Sequence, residues 1–353
     1  MKAYLKNSWY MAAWSSELDG GALVSRRLLD IPTVIFRGAD GQATALRDRC
    51  PHRFAPLSRG KLDNGVIECG YHGLRFDETG QCVGGFFPGT GSSSIRAQSF
   101  PTVEQDSIIW YWPGEPEKAE IALIPRFEYL SDPAYKTIDG VSLVSAYYEL
   151  ITDNLMDLSH IEFLHPAFCG VLQAAKHSAV RDGDTINSNW WAPNVPPTGA
   201  IQLWWPDNNG RIDHWLDMRW DAPASMLLHV GATHPGAARE DGMFQPSVHI
   251  LTPETEDSTH YFWNAGMPRD NRLDMQEIGR LFALSFDEED APMLEAVHQA
   301  MGDADLFDLD PLLLRIDSGA VLARRRLRAL IEDEARDSAV YKAPHRTAEE
   351  SHS

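Results

Sequence analysis

The sequence lacks any long hydrophobic run: no segment of about 18 consecutive apolar residues occurs, so no membrane-spanning helix is expected. Basic residues are outnumbered by acidic ones, 31 against 51, which gives a net charge of −20. A chain of this charge repels nucleic acid and anionic membranes. Its N-terminal residues have neither a signal-peptide pattern nor a transit-peptide pattern. We therefore expect a cytoplasmic protein that binds neither nucleic acid nor membranes.

A nucleotide-binding glycine fingerprint is also missing, because Gly84, Gly85, Gly89 and Gly91 do not have its spacing after a predicted strand. The chain is therefore not expected to bind NADH or NADPH itself. Cysteine is scarce, with four in 353 residues, which excludes a disulfide framework in a chain of this length. The cysteines are available for other chemistry.

Apolar residues are plentiful, at 43% of the chain, and can fill large cores. Because the length exceeds the usual size of one core, two domains are expected. Residues 1–118 are predicted to form a small antiparallel β domain, and residues 119–342 a second domain that begins in a proline-punctuated connection. Residues 343–353 are predicted to be disordered. The β-rich runs of the first domain, separated by turn residues, are residues 34–37, 44–48, 66–69 and 108–112.

Two Cys-His pairs lie in the predicted β domain, Cys50-x-His52 and, after sixteen residues, Cys69-x-x-His72. A Rieske [2Fe-2S] cluster has two thiolates on one iron and two imidazoles on the other, so each of two loops must supply one Cys and one His. The spacing meets this requirement, and Gly70 lets the second loop turn tightly. A tetrahedral Cys2His2 zinc site is the alternative.

A second group of potential ligands lies in residues 153–165, where two histidines and three carboxylates are set among apolar residues typical of one helix face. On a regular helix, Asp153, Asp157 and His160 would project from one side and could hold a metal. His165 is five residues beyond His160, but Pro166 predicts that the helix ends near residue 164, so His165 can turn back towards the same metal. An amphipathic helix with no metal is the alternative.

Two histidines and one carboxylate leave three positions of an octahedral metal open on one face, as in non-haem Fe(II) oxygenases. The carboxylate is expected on a predicted helix over residues 272–301. The acidic run from Asp287 to Asp290 supplies the candidates.

Taken together, the chain resembles the oxygenase components of Rieske non-haem iron oxygenases, in particular the aromatic O-demethylases typified by vanillate and dicamba demethylases. The segments that carry the resemblance are residues 7–10 (Asn-Ser-Trp-Tyr), 50–58, 69–74, 153–157 (Asp-Asn-Leu-Met-Asp) and 250–255. The resemblance implies an α+β protein. Its N-terminal all-β Rieske domain is followed by a catalytic domain with an antiparallel, helix-grip-like sheet flanked by helices.

The resemblance also implies roles for particular residues. Cys50, His52, Cys69 and His72 would bind the [2Fe-2S] cluster, and His160, His165 and Asp290 a mononuclear Fe(II), with Asp287 as the alternative third ligand. Asp157 and Asn154 would be catalytic. The Asp157 carboxylate would hold His160 and meet His72 of the next subunit in a head-to-tail homotrimer. Cys82 and Cys169 are predicted to be unpaired thiols.

Residues 180–265 carry strand patterns and seven of the eleven tryptophans, most of which are expected to lie in a core. A sheet rich in indole rings can also wall a pocket for a flat aromatic substrate. His249 is predicted to bind substrate there, although a buried structural histidine is the alternative. The arginine-rich run 324–328 is predicted to be a solvated helix face.

The predicted reaction is O-demethylation of a methoxylated aromatic compound by O2, with release of formaldehyde. NADH or NADPH would supply electrons only indirectly, through a separate reductase or ferredoxin. Oxidation of an aryl methyl or N-methyl group, or ring hydroxylation, would use the same ligands. An electron-transfer protein without its own catalytic site, or a zinc-stabilised interaction module, would not need the second metal site.

Overall fold

The computed structural model describes residues 3–86, 92–168, 170, 172–207 and 209–342. The predicted disordered tail and Cys169 lie outside these residues. Among them, no helix is long and apolar enough to cross a membrane. The cytoplasmic location stays a prediction.

The first part of the chain is all β, as predicted, and forms three small antiparallel sheets with strand orders β1-β12-β11, β10-β4-β3-β2 and β5-β6-β7-β8-β9. The four β-rich runs of the sequence fall on β3, β4, β6 and β12. The strands of this part are β1 Tyr10–Trp14, β2 Val24–Leu28, β3 Ile31–Arg37, β4 Ala43–Arg47, β5 Lys61–Asp63, β6 Val66–Glu68, β7 Arg75–Phe76, β8 Gln81–Gly84, β9 Ser92–Arg96, β10 Ser99–Phe100, β11 Thr102–Gln105 and β12 Ile108–Tyr111.

The second part is built on one seven-stranded antiparallel sheet with the order β13-β19-β18-β17-β16-β15-β14. Its strands are β13 Tyr135–Val144, β14 Lys176–Asp182, β15 Thr185–Val195, β16 Ile212–Asp221, β17 Ser225–Thr233, β18 Met243–Pro253 and β19 Thr259–Pro268. The helices are α1 Tyr148–Met156, α2 Ile161–Leu164, α3 Ile201–Trp204, α4 Met275–Ala283, α5 Ala291–Met301 and α6 Ser318–Lys342, with a π-helical turn at Leu284–Asp290 between α4 and α5.

Helices α1 and α6 cover one face of the large sheet and share a hydrophobic core with it, in which Ile151 and Leu327 pack with Trp220. The interior strand β18, third in the order of the large sheet, is buried on both faces. Its Val248 and Ile250 belong to a second core together with Trp110 of β12. The two predicted domains therefore share a core, and the boundary at residues 118 and 119 stays a prediction.

The predicted helix over residues 272–301 is present as α4, the π turn and α5. The arginine-rich run on α6 is only partly solvated, because Arg324 is buried while Arg325 and Arg328 are exposed. The prediction of a solvated face is wrong for Arg324, whose guanidinium pairs with Asp153 and Glu149 of α1.

Candidate active site

The two Cys-His loops have the same backbone hydrogen bonds. The Cys50 amide donates to the Ala55 carbonyl and the Phe54 amide to the Cys50 carbonyl, and residues 69, 73 and 74 repeat this pattern. The fifth residue of each loop is in the left-handed region, Phe54 at φ 62° and Gly73 at φ 69°. Each loop thus folds back on its cysteine, and the histidine projects from the tip. Similar local geometry follows from two different spacings, C-x-H and C-x-x-H.

The two loops bring histidine next to histidine and cysteine next to cysteine. The imidazole rings of His52 and His72 have centroids 4.6 Å apart. Cys50 and Cys69 are buried. Burial, together with the adjacent Cys69 thiol, raises the pKa of the Cys50 thiol to about 11. Two thiols close together and two imidazoles close together are the donor set that a [2Fe-2S] cluster with one thiolate-bound and one imidazole-bound iron requires.

The stretch 153–165 is not one regular helix. Helix α1 ends at Met156, and Asp157 has the non-helical angles φ −112° and ψ 89° before a short 3-10 turn over residues 158–160. The Asp157 carboxylate accepts a hydrogen bond from the Ser159 amide at 3.0 Å and so caps this turn. The prediction that Asp153, Asp157 and His160 share one helix face is wrong, because the break at Asp157 changes the direction of the chain.

The His160 imidazole is held by the backbone of Asp157, since its Nδ1 lies 2.7 Å from the Asp157 main-chain carbonyl oxygen. The expectation that the Asp157 carboxylate holds this ring is therefore wrong. The carboxylate is already engaged with Ser159, whereas the reversal of the chain at Asp157 directs its carbonyl towards the ring three residues later.

His165 follows the end of α2 at Leu164 and precedes Pro166, as predicted, and its φ of −114° and ψ of 81° lie outside the helical region. Its Nδ1 is 2.7 Å from a carboxylate oxygen of Glu289. Its Nε2 is 3.3 Å from an Asp290 oxygen. The ring thus has one nitrogen anchored and the other directed at Asp290.

The π turn places the acidic run relative to the histidines. Asp290 is buried at its end, Glu289 is partly buried, and Asp287 is exposed. Wider π turns of this kind are frequent at functional sites. Asp290 therefore faces both imidazoles, and Asp287 points to solvent.

His160, His165 and Asp290 each offer a ligand atom, and these atoms lie within 4.8 Å of one another. The His160 Nε2 is 3.7 Å from an oxygen of Asp290. Both histidines use Nδ1 for anchoring, which leaves Nε2 as the donor at the centre of the group. Two imidazole nitrogens and one carboxylate in a buried cluster fit a mononuclear divalent metal with open positions.

The electrostatics of the two imidazoles differ. Burial lowers the pKa of His160. Burial also acts to lower the pKa of His165, but the Asp290 and Glu289 carboxylates outweigh it and raise that pKa above its ordinary value. The carboxylates give the site a negative field that favours a cation.

Of two other predicted residues, Asn154 contacts this group and Asp153 does not. The Asn154 side-chain amide donates to an Asp290 oxygen at 3.2 Å. Asp153 does not face the histidines; the Arg324 Nε donates to its two carboxylate oxygens, at 2.8 Å each. Asp153 therefore positions helix α1 against α6.

An apolar pocket of about 830 Å³, including its open mouth, opens onto the group formed by His160, His165 and Asp290. Its described lining contains Phe168, Phe282, Phe286 and aliphatic side chains, but no tryptophan, lysine or arginine. The large sheet does wall the pocket, through residues such as Leu216, Val230 and His249, but among the described residues it does so without an indole ring. Most of the tryptophans are buried in the cores, as Trp190, Trp220 and Trp263 illustrate.

His249 lies in the pocket wall on β18, as predicted, and is almost completely buried. One ring nitrogen is 2.7 Å from the Tyr261 hydroxyl and the other 3.0 Å from the Ser247 hydroxyl. Burial lowers the pKa of His249 to about 3, so the ring is neutral at ordinary pH. Its role as a substrate contact stays a prediction.

Sequence reasoning missed three residues of the site. Glu289 belongs to the acidic run of candidate ligands, but its role as the partner of His165 was not predicted, although its position next to Asp290 was a signal. Gln245 and His214 also line the pocket. Gln245 stands four residues before His249 on the same strand, and a two-residue period would have placed both on one face of the sheet.

The comparisons with known proteins agree with this geometry. The family model of the Rieske [2Fe-2S] domain matches residues 8–101, and that of the vanillate O-demethylase oxygenase C-terminal domain matches residues 144–333. The oxygenase component of dicamba O-demethylase from Stenotrophomonas maltophilia is 36% identical over 340 residues, which cover 94% of this chain and 99% of the relative.

A second relative is the oxygenase component of chloroacetanilide N-alkylformylase from Rhizorhabdus wittichii strain DC-6. It is 34% identical over 343 residues, which cover 96% of this chain and 98% of the relative. The crystal structure of dicamba monooxygenase bound to 3,6-dichlorosalicylic acid superposes with a TM-score of 0.86 at 34% identity, covering 95% of this chain and 99% of that one. The chain therefore belongs, as its sequence predicted, to the Rieske non-haem iron oxygenases, and it is the oxygenase component of such an enzyme, with a Rieske [2Fe-2S] domain followed by a vanillate O-demethylase-type catalytic domain.

Proposed function

We propose that this oxygenase component removes the methyl group of a methoxylated aromatic compound and releases it as formaldehyde. The observation that carries the proposal is the apolar, phenylalanine-lined pocket that opens directly onto His160, His165 and Asp290. Phe282 and Phe286 meet edge to face with centroids 5.5 Å apart, an arrangement that suits stacking of a flat aryl ring beside them.

The proposed roles of the residues are as follows. Cys50, Cys69, His52 and His72 would hold the [2Fe-2S] cluster. His160, His165 and Asp290 would hold the mononuclear Fe(II), which when bound would supply the activation of O2. Glu289 and the Asp157 carbonyl fix the two imidazoles, and Asn154 fixes an Asp290 oxygen.

The proposed reaction uses one O2, two electrons and two protons for each methoxy group. One oxygen atom is inserted into a C–H bond of the methyl group, which gives a hemiacetal, and the other leaves as water. The bond between the hemiacetal carbon and the aryl oxygen then breaks. The hydroxyl proton moves to the aryl oxygen, and the products are a phenol and formaldehyde.

The electrons come from a separate reductase or ferredoxin, as in multicomponent oxygenases of this family. We propose that they pass between subunits of a head-to-tail homotrimer, from His72 of one subunit to Asp157 of the next. A head-to-tail contact that closes gives a ring. Asn154, Asp157 and His160 line a depression on the surface that also includes Leu312 and Leu313, and Leu312 is 87% exposed.

The Rieske loops offer a matching surface. His52 is exposed, and beside the two histidines stand the exposed rings of Phe54, Tyr71 and Phe86. Exposed aromatic and leucine side chains next to the two metal sites are the kind of surface that a subunit contact buries. The expected mass of the assembly in solution is three times that of the chain, which light scattering measures directly.

The test of the proposed reaction is a screen of methoxybenzoates, methoxybenzamides and methoxyphenols with the iron-loaded protein, a surrogate reductase and NADH. Formaldehyde and the demethylated phenol should appear in equal amounts. A hydroxylated ring or an oxidised aryl methyl group, without formaldehyde, would show that the iron site performs one of the alternative oxidations.

A further inference from the structure

We infer that the substrate is an uncharged aromatic compound, an inference that rests on the proposed function. His214 and Gln245 would recognise a polar group of this compound that is remote from the reacting methyl group. The polar group must donate a hydrogen bond to His214. A primary amide or a hydroxyl meets this condition, and a carboxylate does not.

The described lining of the pocket carries no counterion for an anionic substrate. It contains no lysine or arginine, and the proposed Fe(II) held by His160, His165 and Asp290 lies at the end of the pocket where the methyl group reacts, not at the remote end. His249 has both ring nitrogens engaged with Ser247 and Tyr261. Burying a carboxylate in such surroundings without a charged partner is strongly unfavourable, and a neutral ligand avoids this penalty.

His214 presents an acceptor to the pocket. Its Nδ1 lies 2.6 Å from the Gly231 carbonyl oxygen, so Nδ1 must carry the proton and donate it. The residue is 1% exposed, and burial lowers its pKa to about 4, which keeps the ring neutral. Nε2 is then a lone-pair acceptor, and within the described chain it has no hydrogen-bond partner.

Gln245 supplies the complementary group. The residue is 7% exposed and lines the pocket. Its side-chain amide forms no hydrogen bond with any described residue and is therefore available to a ligand in the pocket. The Gln245 amide and the His214 Nε2 are both satisfied if one ligand group supplies a donor and an acceptor.

Strand register places these two groups together and away from His249. Leu216, Val230 and Gln245 form one row across β16, β17 and β18, and His214 is two residues before Leu216 on the same face. β16 and β18 are two strand spacings apart, roughly 10 Å, and the two-residue offset adds roughly 7 Å along the strands, so the Cα atoms of the two residues are roughly 12 Å apart. The two side chains and one ligand group between them can span this gap. Gln245 and His249 are four residues apart, about 14 Å along β18.

The test uses vanillate and vanillamide, which have the same shape and differ in the charge of one substituent. Isothermal titration calorimetry of the full iron-loaded protein without oxygen measures binding, and formaldehyde release with the reductase measures kcat/KM. Vanillamide is expected to bind at least about tenfold more tightly than vanillate and to have a kcat/KM higher by a similar factor.

Two variants test the residues. Gln245→Met keeps the length of the side chain and removes the amide, so affinity for vanillamide should fall about tenfold. Gln245→Lys adds a cation and should shift the preference towards vanillate. Gln276→Met, an exposed glutamine on α4, is the matched control and should keep the wild-type preference.

Equal or tighter binding of vanillate by the wild type would overturn the inference, as would binding of neither ligand or an unchanged affinity for vanillamide in Gln245→Met. These outcomes leave the proposed demethylation standing if other methoxy compounds yield formaldehyde. Conversely, calorimetric preference for vanillamide without formaldehyde from any methoxy compound would support the pocket assignment and contradict the proposed reaction.

Discussion

The His160 imidazole hydrogen-bonds to the main-chain carbonyl of Asp157, with Nδ1 and oxygen 2.7 Å apart, while the Asp157 carboxylate accepts from the Ser159 amide. The backbone and the side chain of Asp157 therefore have separate functions. The backbone orients the candidate iron ligand, and the carboxylate remains at the surface depression that contains Asn154. A substitution of the side chain can therefore change the charge without releasing the imidazole.

Asp157→Asn should retain both irons and yet slow turnover. An asparagine can still accept from the Ser159 amide, so the 3-10 turn and the His160 anchor are kept. The loss of negative charge removes a group that can stabilise a proton moving with the electron. In a single turnover with a reduced cluster, substrate and O2, cluster re-oxidation should slow at least about tenfold.

The control is Glu277→Gln, which removes one negative charge from an exposed residue of α4 that does not line the depression. It should leave the re-oxidation rate near that of the wild type. Re-oxidation at the wild-type rate in Asp157→Asn, with normal product, would mean that electrons do not pass through this residue, and the proposed path between subunits would be abandoned.

Glu289→Gln should weaken Fe(II) binding at the mononuclear site. The Glu289 carboxylate lies 2.7 Å from the His165 Nδ1 and fixes that ring with Nε2 directed at the metal position. Loss of such an outer partner reduces metal affinity by about 10- to 100-fold. Titration of the metal-depleted protein with Fe(II) measures the change, and the cluster absorption should be unaffected.

The matched control is Glu288→Gln, because Glu288 is the adjacent acid and is exposed. It should bind Fe(II) as the wild type does. If the two variants lose affinity equally, the general negative charge of the acidic run, and not the contact with His165, is responsible.

Asp290→Ala should leave the mononuclear site without iron, whereas Asp287→Ala should retain it. Asp290 is buried with its oxygens facing both imidazoles, and Asp287 is exposed. The iron to acid-labile sulfide ratio measures the outcome. One [2Fe-2S] cluster and one mononuclear iron require about three irons and two sulfides per chain, and loss of one iron leaves about two. The reverse pattern would assign the ligand to Asp287.

How far the sequence predicted this site depended on whether the geometry was local. Cys50-x-His52 and Cys69-x-x-His72 each lie within one tight loop, so their spacing identified the metal-binding residues without knowledge of distant packing. His165 was placed correctly because Pro166 ends α2 at a known position. Local rules were sufficient for these residues.

The parts that were wrong or missed depend on distant packing. The break at Asp157 and the π turn before Asp290 have no simple sequence signal, and they decide which atoms face His160 and His165. His214 and Gln245 come together only through the register of three strands. A one-residue slip would move Gln245 to the opposite face of the sheet, so the sequence could not identify the pair without that register.

His72→Ala should abolish the Rieske absorption, while the same protein retains iron at the mononuclear site. The imidazole of His72 is one of two that lie 4.6 Å apart at the tips of the paired loops, and one imidazole cannot complete the histidine-bound end of the cluster. Visible absorption and sulfide content measure the loss. A colourless wild-type protein that holds zinc and no sulfide would contradict the cluster assignment itself.

Arg324→Met should destabilise the fold without touching either metal site. The Arg324 guanidinium is buried between Asp153 and Glu149 and ties α6 to α1. Methionine keeps much of the apolar contact but leaves two partly buried carboxylates without a cation, which should lower the free energy of unfolding by about 3 kcal/mol. Arg325→Met, at the exposed neighbour, should change it by less than about 0.5 kcal/mol. Thermal unfolding followed by circular dichroism compares the two variants, and equal melting temperatures would show that the buried ion pair does not hold the helix that carries Asp153 and Asn154 in place.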